Sequence, residues 1–320
     1  MHKGSLQYWH HRRAQRRLPR LRSAPIYLKD TAISSIVAFK VGMTHASVTD
    51  DSESTYKGLE ISMPCTVLEI PDMELYGIRL YSRDPNTGYQ RAALEIINSN
   101  SAKKLKIKVV KNDEKKIEST KGKLAEFNNA TALIASYPKG MGVQQHHPIR
   151  FEAYVGGNNV EDKFNFLSNL LGKEVKAADV FKNGEYVDVA SISKGKGWQG
   201  VVKRAGIATQ PHKASGHTRQ IGALGTQTPR KVFYTIPRAG QMGFGYSTEH
   251  NKRVLKIGSS GEGAKPAAGF ANYGIVNNDY IIVAGSVPGP AKRLVRIRKA
   301  VTNRNVRGIK EPKVPYIKMK

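Results

Sequence analysis

The sequence predicts a mainly β protein that carries an α+β insertion, and three observations predict it. Short runs rich in Val, Ile, Tyr and Phe, bounded by Gly, Pro, Asn and Asp, recur in the first hundred residues and again after residue 185. Helix-like apolar spacing of three and four falls only between them. Charge divides the chain near the same borders: Asp50 to Asp188 holds 20 acidic and 19 basic residues, whereas the remainder holds 33 Lys and Arg against five acids.

In chain order, residues 1–33 form a basic arm. Tyr8, Trp9, His10 and His11 are interleaved there with Arg12, Arg13, Arg16, Arg17, Arg20 and Arg22, and Pro19 and Pro25 argue against one long helix. Planar rings among guanidinium groups suit base stacking and phosphate contact. A β module then spans residues 34–85 and 185–289, with strands expected at Ile36–His45, Cys65–Ile70, Tyr76–Tyr81, Glu185–Ile192, Arg253–Ile257 and Tyr280–Val283. The charge-balanced insertion, residues 86–184, offers strands at Gln90–Ile97, Ala132–Tyr137 and Ile149–Val155. Its helices are expected at Lys123–Asn129 and at Glu161–Leu171, where Phe164, Leu167 and Leu171 share a face and Gly172 stops the helix. Lys103–Lys123, with Asp113, Glu114 and Glu118 as balancing acids, reads as a solvated hairpin or helix face. Residues 290–320 read as a basic tail.

The formal net charge of +27 comes from outside the balanced middle. Met1–Lys29 and Val189–Thr248 contain no acid, and Tyr280–Lys320 contains only Glu311. Cations placed without counter-charges repel one another in a compact chain, so the pattern points to a dense polyanion, RNA above all. A membrane surface fits less well, because the Gly- and Pro-punctuated run Gly195–Gly245 offers no amphipathic helix. No signal peptide or membrane span is evident, and the expectation is a soluble cytoplasmic protein. The apolar content of 39 % is enough for a core, and the lone Cys65 excludes an internal disulfide and reads as a buried thiol.

Catalytic and cofactor motifs fail on context. Gly195-Lys196-Gly197-Trp198-Gln199-Gly200 has the dinucleotide-binding spacing, yet glycines and Pro211 follow where a long helix should open, and no acid occurs until Glu249. Gly258–Lys265 lacks the Gly-Lys-Ser/Thr ending of a phosphate loop. Most of the nine histidines lie in basic sequence without an orienting carboxylate. No cofactor, metal or small-molecule substrate is expected, and the reading is non-enzymatic.

The acid-free run is the strongest candidate site. Lys194, Lys196, Lys203, Arg204, Lys213, Arg219, Arg230, Lys231 and Arg238 alternate there with Trp198, His212 and His217, and its large apolar residues are too scattered for a core. Folded RNA would supply the packing, with the cations on phosphates. An RNA-modifying or RNA-processing enzyme that uses the same surface for its substrate is the alternative.

Phe39-Lys40-Val41-Gly42-Met43-Thr44-His45, Ser193–Val202 with Lys203-Arg204, Ile221-Gly222 through Gln227-Thr228-Pro229, and Gly240-Gln241-Met242-Gly243 resemble, in order and spacing, the universal large-subunit ribosomal protein L-three family. The Trp9–Arg13 arm and the large insertion resemble its archaeal and eukaryotic branch. The resemblance implies a translation-type β-barrel and a structural role on large-subunit rRNA beside neighbouring ribosomal proteins, beginning early in subunit assembly. It also implies an extension, residues 194–253, that penetrates rRNA towards the peptidyl transferase centre. That extension would have its base at Lys194–Arg204 and its tip near Gly225–Pro229, where Gln227, in a setting that resembles bacterial members, stands in place of the tryptophan of eukaryotic and some archaeal ones. Lys40, Gln227, Gln241, His250, Lys252 and Arg253 join the RNA-binding candidates.

Overall fold

A computed structural model describes residues 12–25, 27–108, 113–145, 147–259, 269–302 and 309–318. The chain is mainly β. Its first strand, β1 (Ser35–Thr49), shows why: Ile36, Val37, Ala38 and Phe39 are all buried, so both faces of this half are covered and the sequence is continuously apolar. Beyond an irregularity between Lys40 and Gly42 the strand alternates, with Met43 and His45 outward and Ala46 and Val48 inward.

β1 pairs along one edge with β2 (Glu60–Glu69). Along the other it pairs first with β12 (Leu294–Lys299) and then with the short β13 (Tyr316–Ile317). From β2 the hydrogen bonds pass to β11 (Tyr280–Ala284), to β10 (Tyr246–Gly258), to β7 (Tyr186–Ile192) and back to β12, all antiparallel. The β12–β1 pairing therefore closes a cycle of strands. Val37, Phe39, Val67, Val189, Ile281, Val283 and Ile297 belong to the core, each 0–1 % exposed.

The second sheet has the order β4 (Gln90–Ile97), β3 (Asp72–Arg83), β5 (Asn129–Tyr137), β6 (Ile149–Tyr154). Helix α3 (Val160–Leu170) buries Phe164 and Leu167 completely against this part of the chain, and Gly172, at φ +78°, follows its end. Arg296 on β12 reaches across, donating to the Glu152 carbonyl of β6 and lying 5.3 Å from the Phe151 ring. Burial lowers its pKa to about 10.

Three sequence expectations change. Asp72–Arg83, assigned with the first module, pairs with β4 and β5 instead, because its partners are fixed by distant chain and not by its own periodicity. Leu294–Lys299, assigned to a basic tail, is a strand of the closed cycle. Lys123–Asn129 forms only a 3₁₀ turn at Leu124–Glu126 before β5 begins. Of the two readings of the Lys-rich stretch, hairpin or helix face, the structure has the helix: α1 (Ser99–Lys104) runs into it and α2 (Asp113–Lys121) lies within it. Cys65 is buried as expected, and burial pushes its thiol up to about 11, which suits an inert core residue.

Candidate nucleic-acid interface

The chain leaves the closed cycle at the end of β7 and rejoins it at β10, so residues 193–245 form one excursion between neighbouring strands. Its base is clasped. β8 (Trp198–Gln199) pairs with β9 (Gly240–Gln241), Lys196 N donates to Met242 O at 2.9 Å, and Met242 N donates to Gly197 O at 2.9 Å. A helix does open after the glycine-rich motif, but α5 (Val201–Ala205) lasts five residues before Gly206 ends it at φ +69°. From 206 to 239 there is neither helix nor strand, and nearly every side chain is exposed.

Arg204 is the buckle. Its Nε donates to Gln241 O at 3.1 Å and its Nη1 to Arg238 O at 2.8 Å, so the guanidinium joins α5 to the returning chain. A side chain at Gly240 would meet Arg204 Cζ at 3.0 Å, so the bare glycine leaves the guanidinium room at the clasp. Gln241 turns back on its own loop, donating to the Met242 and Gly243 carbonyls. Two residues expected from sequence to contact RNA, Arg204 and Gln241, thus hold the base of the excursion.

Three segments meet at this base. Ala14 N donates to Phe244 O at 2.8 Å, and the Tyr246 hydroxyl donates to Arg16 O at 3.2 Å, so the arm lies along the end of the excursion. Arg293 stacks 5.3 Å from the Phe244 ring, and its backbone carbonyl accepts from Lys40 N. Burial and then the nearby Arg17 charge lower the Arg293 pKa; burial and then Lys194 lower that of Lys40. Like charges therefore face one another across the junction of arm, excursion and the 287–293 turn. Among the described residues, Arg12, Arg13, Arg16, Arg17, Lys194, Lys196 and Arg293 make no salt bridge.

The remaining predicted residues divide by what they touch. Arg20, Arg22, Trp198, Lys203, His212, Lys213, His217, Arg219, Gln227, Arg230, Lys231 and Arg238 are exposed, and His217 Nδ1 lies 2.9 Å from Gln220 Oε1. Gln227, Arg230 and Lys231 share an open concavity of about 410 Å³ with Leu224, Gly225, Thr226 and Val232. Trp9, His10 and His11 lie outside the described residues, as does most of Gly258–Lys265.

Lys40, His250, Lys252 and Arg253 are engaged within the chain. Lys40 is buried and donates its ammonium to Val287 O at 2.5 Å and Gly289 O at 3.1 Å. Arg253 grips both carboxylate oxygens of Asp51 at 2.7 and 2.5 Å, Lys252 lies 3.8 Å from Glu249, and His250 Nδ1 is 3.1 Å from Asp188. Among the described residues, Asp188 is the one carboxylate that orients a histidine, against the sequence expectation. It is wholly buried and also accepts from Arg298 and from the Val301 and Asn251 amides, which marks a structural hub. Among the described residues no group of three or more His, Cys, Asp or Glu is placed to hold a metal, and no helix is long and apolar enough to cross a membrane.

Sequence reasoning missed Arg293, because it lies in the span assigned to a tail. The family model described as ribosomal protein L3 matches residues 1–318. The chain belongs to the ribosomal protein L3 family. Curated relatives agree: the large ribosomal subunit protein uL3 of Methanopyrus kandleri is 42 % identical over 93 % of this chain and 84 % of its own length. Those of Methanocaldococcus jannaschii and Methanobrevibacter smithii are 36 % and 39 % identical, over 98 % and 99 % of this chain and 95 % and 96 % of their own lengths. The archaeal and eukaryotic branch read from the arm and the insertion accords with these archaeal relatives.

Proposed function

We propose that the chain is a non-enzymatic structural component of the large ribosomal subunit, working in the cytoplasm as part of the ribosome, and that it binds and organises large-subunit rRNA beside neighbouring ribosomal proteins. One observation carries the reading. Arm, excursion base and 287–293 turn gather Arg12, Arg13, Arg16, Arg17, Lys194, Lys196 and Arg293, none in a salt bridge among the described residues, and a dense polyanion such as RNA relieves such crowding. The closed strand cycle is then the translation-type β-barrel of the family. The basic arm, the excursion from 194 to 253 and the C-terminal residues outside β12 and β13 are the segments that enter rRNA. We place the start of the charge-balanced insertion at Asp72, since β3 belongs to the second sheet.

On this reading Arg12, Arg13, Arg16, Arg17, Arg20, Arg22, Lys194, Lys196, Lys203, Lys213, Arg219, Arg230, Lys231 and Arg238 meet phosphates, and the Gln227 tip faces the peptidyl transferase centre. Gln227 has donor and acceptor without charge, so it serves packed RNA groups where a carboxylate would be repelled. The test is sucrose-gradient sedimentation of native extracts with parallel Gln227→Ala and Gln227→Glu strains. Stable co-migration with the large subunit, and a Glu variant that assembles worse than the Ala variant, are expected. Protein that sediments free of the subunit would refute the reading.

A further inference from the structure

Trp198 is 76 % exposed, the most exposed large apolar side chain among the described residues. It is also firmly mounted. Its ladder partner is Gln241, whose carbonyl is held by Arg204 at 3.1 Å, and the backbone on its N-terminal side is tied by the Lys196–Met242 and Gly197–Met242 hydrogen bonds. Gly197 and Gly200, one before it and one just beyond Gln199, have open space where a side chain would project, with no heavy atom within 4 Å. A rigid ribbon thus presents an indole from a strip cleared of bulk on both sides.

The surroundings select what covers it. Lys194, Lys196 and Lys203 are exposed on either side in the chain, and no acid occurs from Val189 to Thr248. An apolar protein partner would have to desolvate those lysines without compensating charge. An unpaired nucleotide meets both demands, since its base has a flat π face and its phosphates are anionic. We propose that Trp198 is a stacking platform for one unpaired base of large-subunit rRNA, with the flanking phosphates taken by Lys194, Lys196 and Lys203. The proposal rests on the RNA-binding reading above and adds a base-stacking contact at a single residue.

The chain contains two tryptophans, so Trp9→Phe leaves Trp198 as the only indole reporter. Full-length Trp9→Phe protein is titrated with protein-free large-subunit rRNA while indole emission is followed. Chemical footprinting of unpaired bases is run in parallel with Trp198→Phe and Trp198→Ala chains. Expected are strong quenching on binding, and one protected unpaired nucleotide that persists with Trp198→Phe but is exposed with Trp198→Ala. Affinity of the Ala chain should fall roughly 5- to 150-fold with an unchanged salt slope, because a stacking surface and no charge is lost. Unchanged emission at saturating rRNA, or an Ala chain with full affinity and an intact footprint, overturns the proposal. Quenching that develops only after other ribosomal proteins join assigns the indole to a protein partner and overturns it too. Failure of the parent chain to bind RNA in a salt-dependent way would show instead that the broader reading is wrong, and the platform with it.

Discussion

Replacing Arg12, Arg13, Arg16 and Arg17 by alanine removes four exposed cations from the arm and leaves its anchorage intact, because the arm is held through the Ala14 amide and the Arg16 backbone. Each phosphate neutralised by a cation contributes about 0.7–0.9 to the slope of log affinity against log salt, so four contacts contribute roughly 3. Over a fourfold rise in salt, from about 50 to 200 mM, a slope difference of 3 changes the parent-to-variant affinity ratio by roughly 60-fold. The deficit of the variant is therefore largest at low salt and shrinks as salt rises. Equilibrium binding to a large-subunit rRNA fragment at five or six salt concentrations measures this directly. Lys40→Met is the control, since that ammonium is already held by the Val287 and Gly289 carbonyls and should leave the slope alone. A quadruple variant with the parent's slope would refute the phosphate role of the arm, and an equal change from Lys40→Met would refute the division between engaged and available cations.

Further outcomes follow from the internal contacts. Lys40→Met should cost about 1–3 kcal/mol in urea unfolding, because two buried carbonyls lose their donor. Asp188→Ala should cost about 3–5 kcal/mol by calorimetry, since it strands the Arg298 guanidinium, whose side chain is 5 % exposed. The Arg253 hydrogen bonds hold the Asp51 carboxyl below its usual range, so its contribution is complete above the ordinary Asp pKa and is lost as pH falls through the lowered folded value. At side-chain exposures of 18 and 35 % this pair contributes about 1 kcal/mol or less at neutral pH. Acid titration of stability should show parent and Asp51→Asn converging at low pH. Arg204→Ala should accelerate amide exchange at Lys196 and Met242 roughly tenfold or more and raise protease cleavage within 206–239 of the free chain, as two carbonyl contacts of the buckle are lost.

The strands that sequence reading found are those whose neighbours bury them on both faces or on one. Ile36–Phe39 shows as a continuous apolar run, so the pattern survives without knowledge of the partner, whereas the rest of β1, with Met43 exposed, continues past His45 to Thr49 with little apolar signal. Leu294–Lys299 hid because Arg296 and Arg298 stand at alternate positions and imitate a solvated tail. Both arginines are nevertheless buried, one against Glu152 O and the Phe151 ring, the other on Asp188. The sheet to which Tyr76–Tyr81 belongs depends on β5, about fifty residues away, and period-two alternation carries no such address. At the candidate interface, acid-free runs marked two of the segments that meet at the base of the excursion. They could not mark which cations remain available, since Arg253 is matched by Asp51 at a separation of 202 residues. Nor could they show that Arg204 is a fastener, which only the return of Arg238–Gln241 to the same place reveals.

Closure of the strand cycle joins opposite ends of the polypeptide. Ser35 sits across from Arg298 and Phe39 from Leu294, while the Tyr27 hydroxyl donates to Ala300 O and Arg298 Nη1 to Ser23 Oγ. During synthesis from the N-terminus, β1 can pair with β2 early, but its other edge waits for β12 until residue 299 has been made. By then the arm and the acid-free run to Thr248 have already been made, as uncompensated cationic chain. Pairings across some 260 residues are also the slowest kind to find. The nascent protein thus passes through a stage in which its RNA-seeking segments are on display and its body is still open along β1, an edge that invites strand pairing with other chains. Whatever shields those segments in the cell has to act on the unfinished chain, before there is a closed body to recognise.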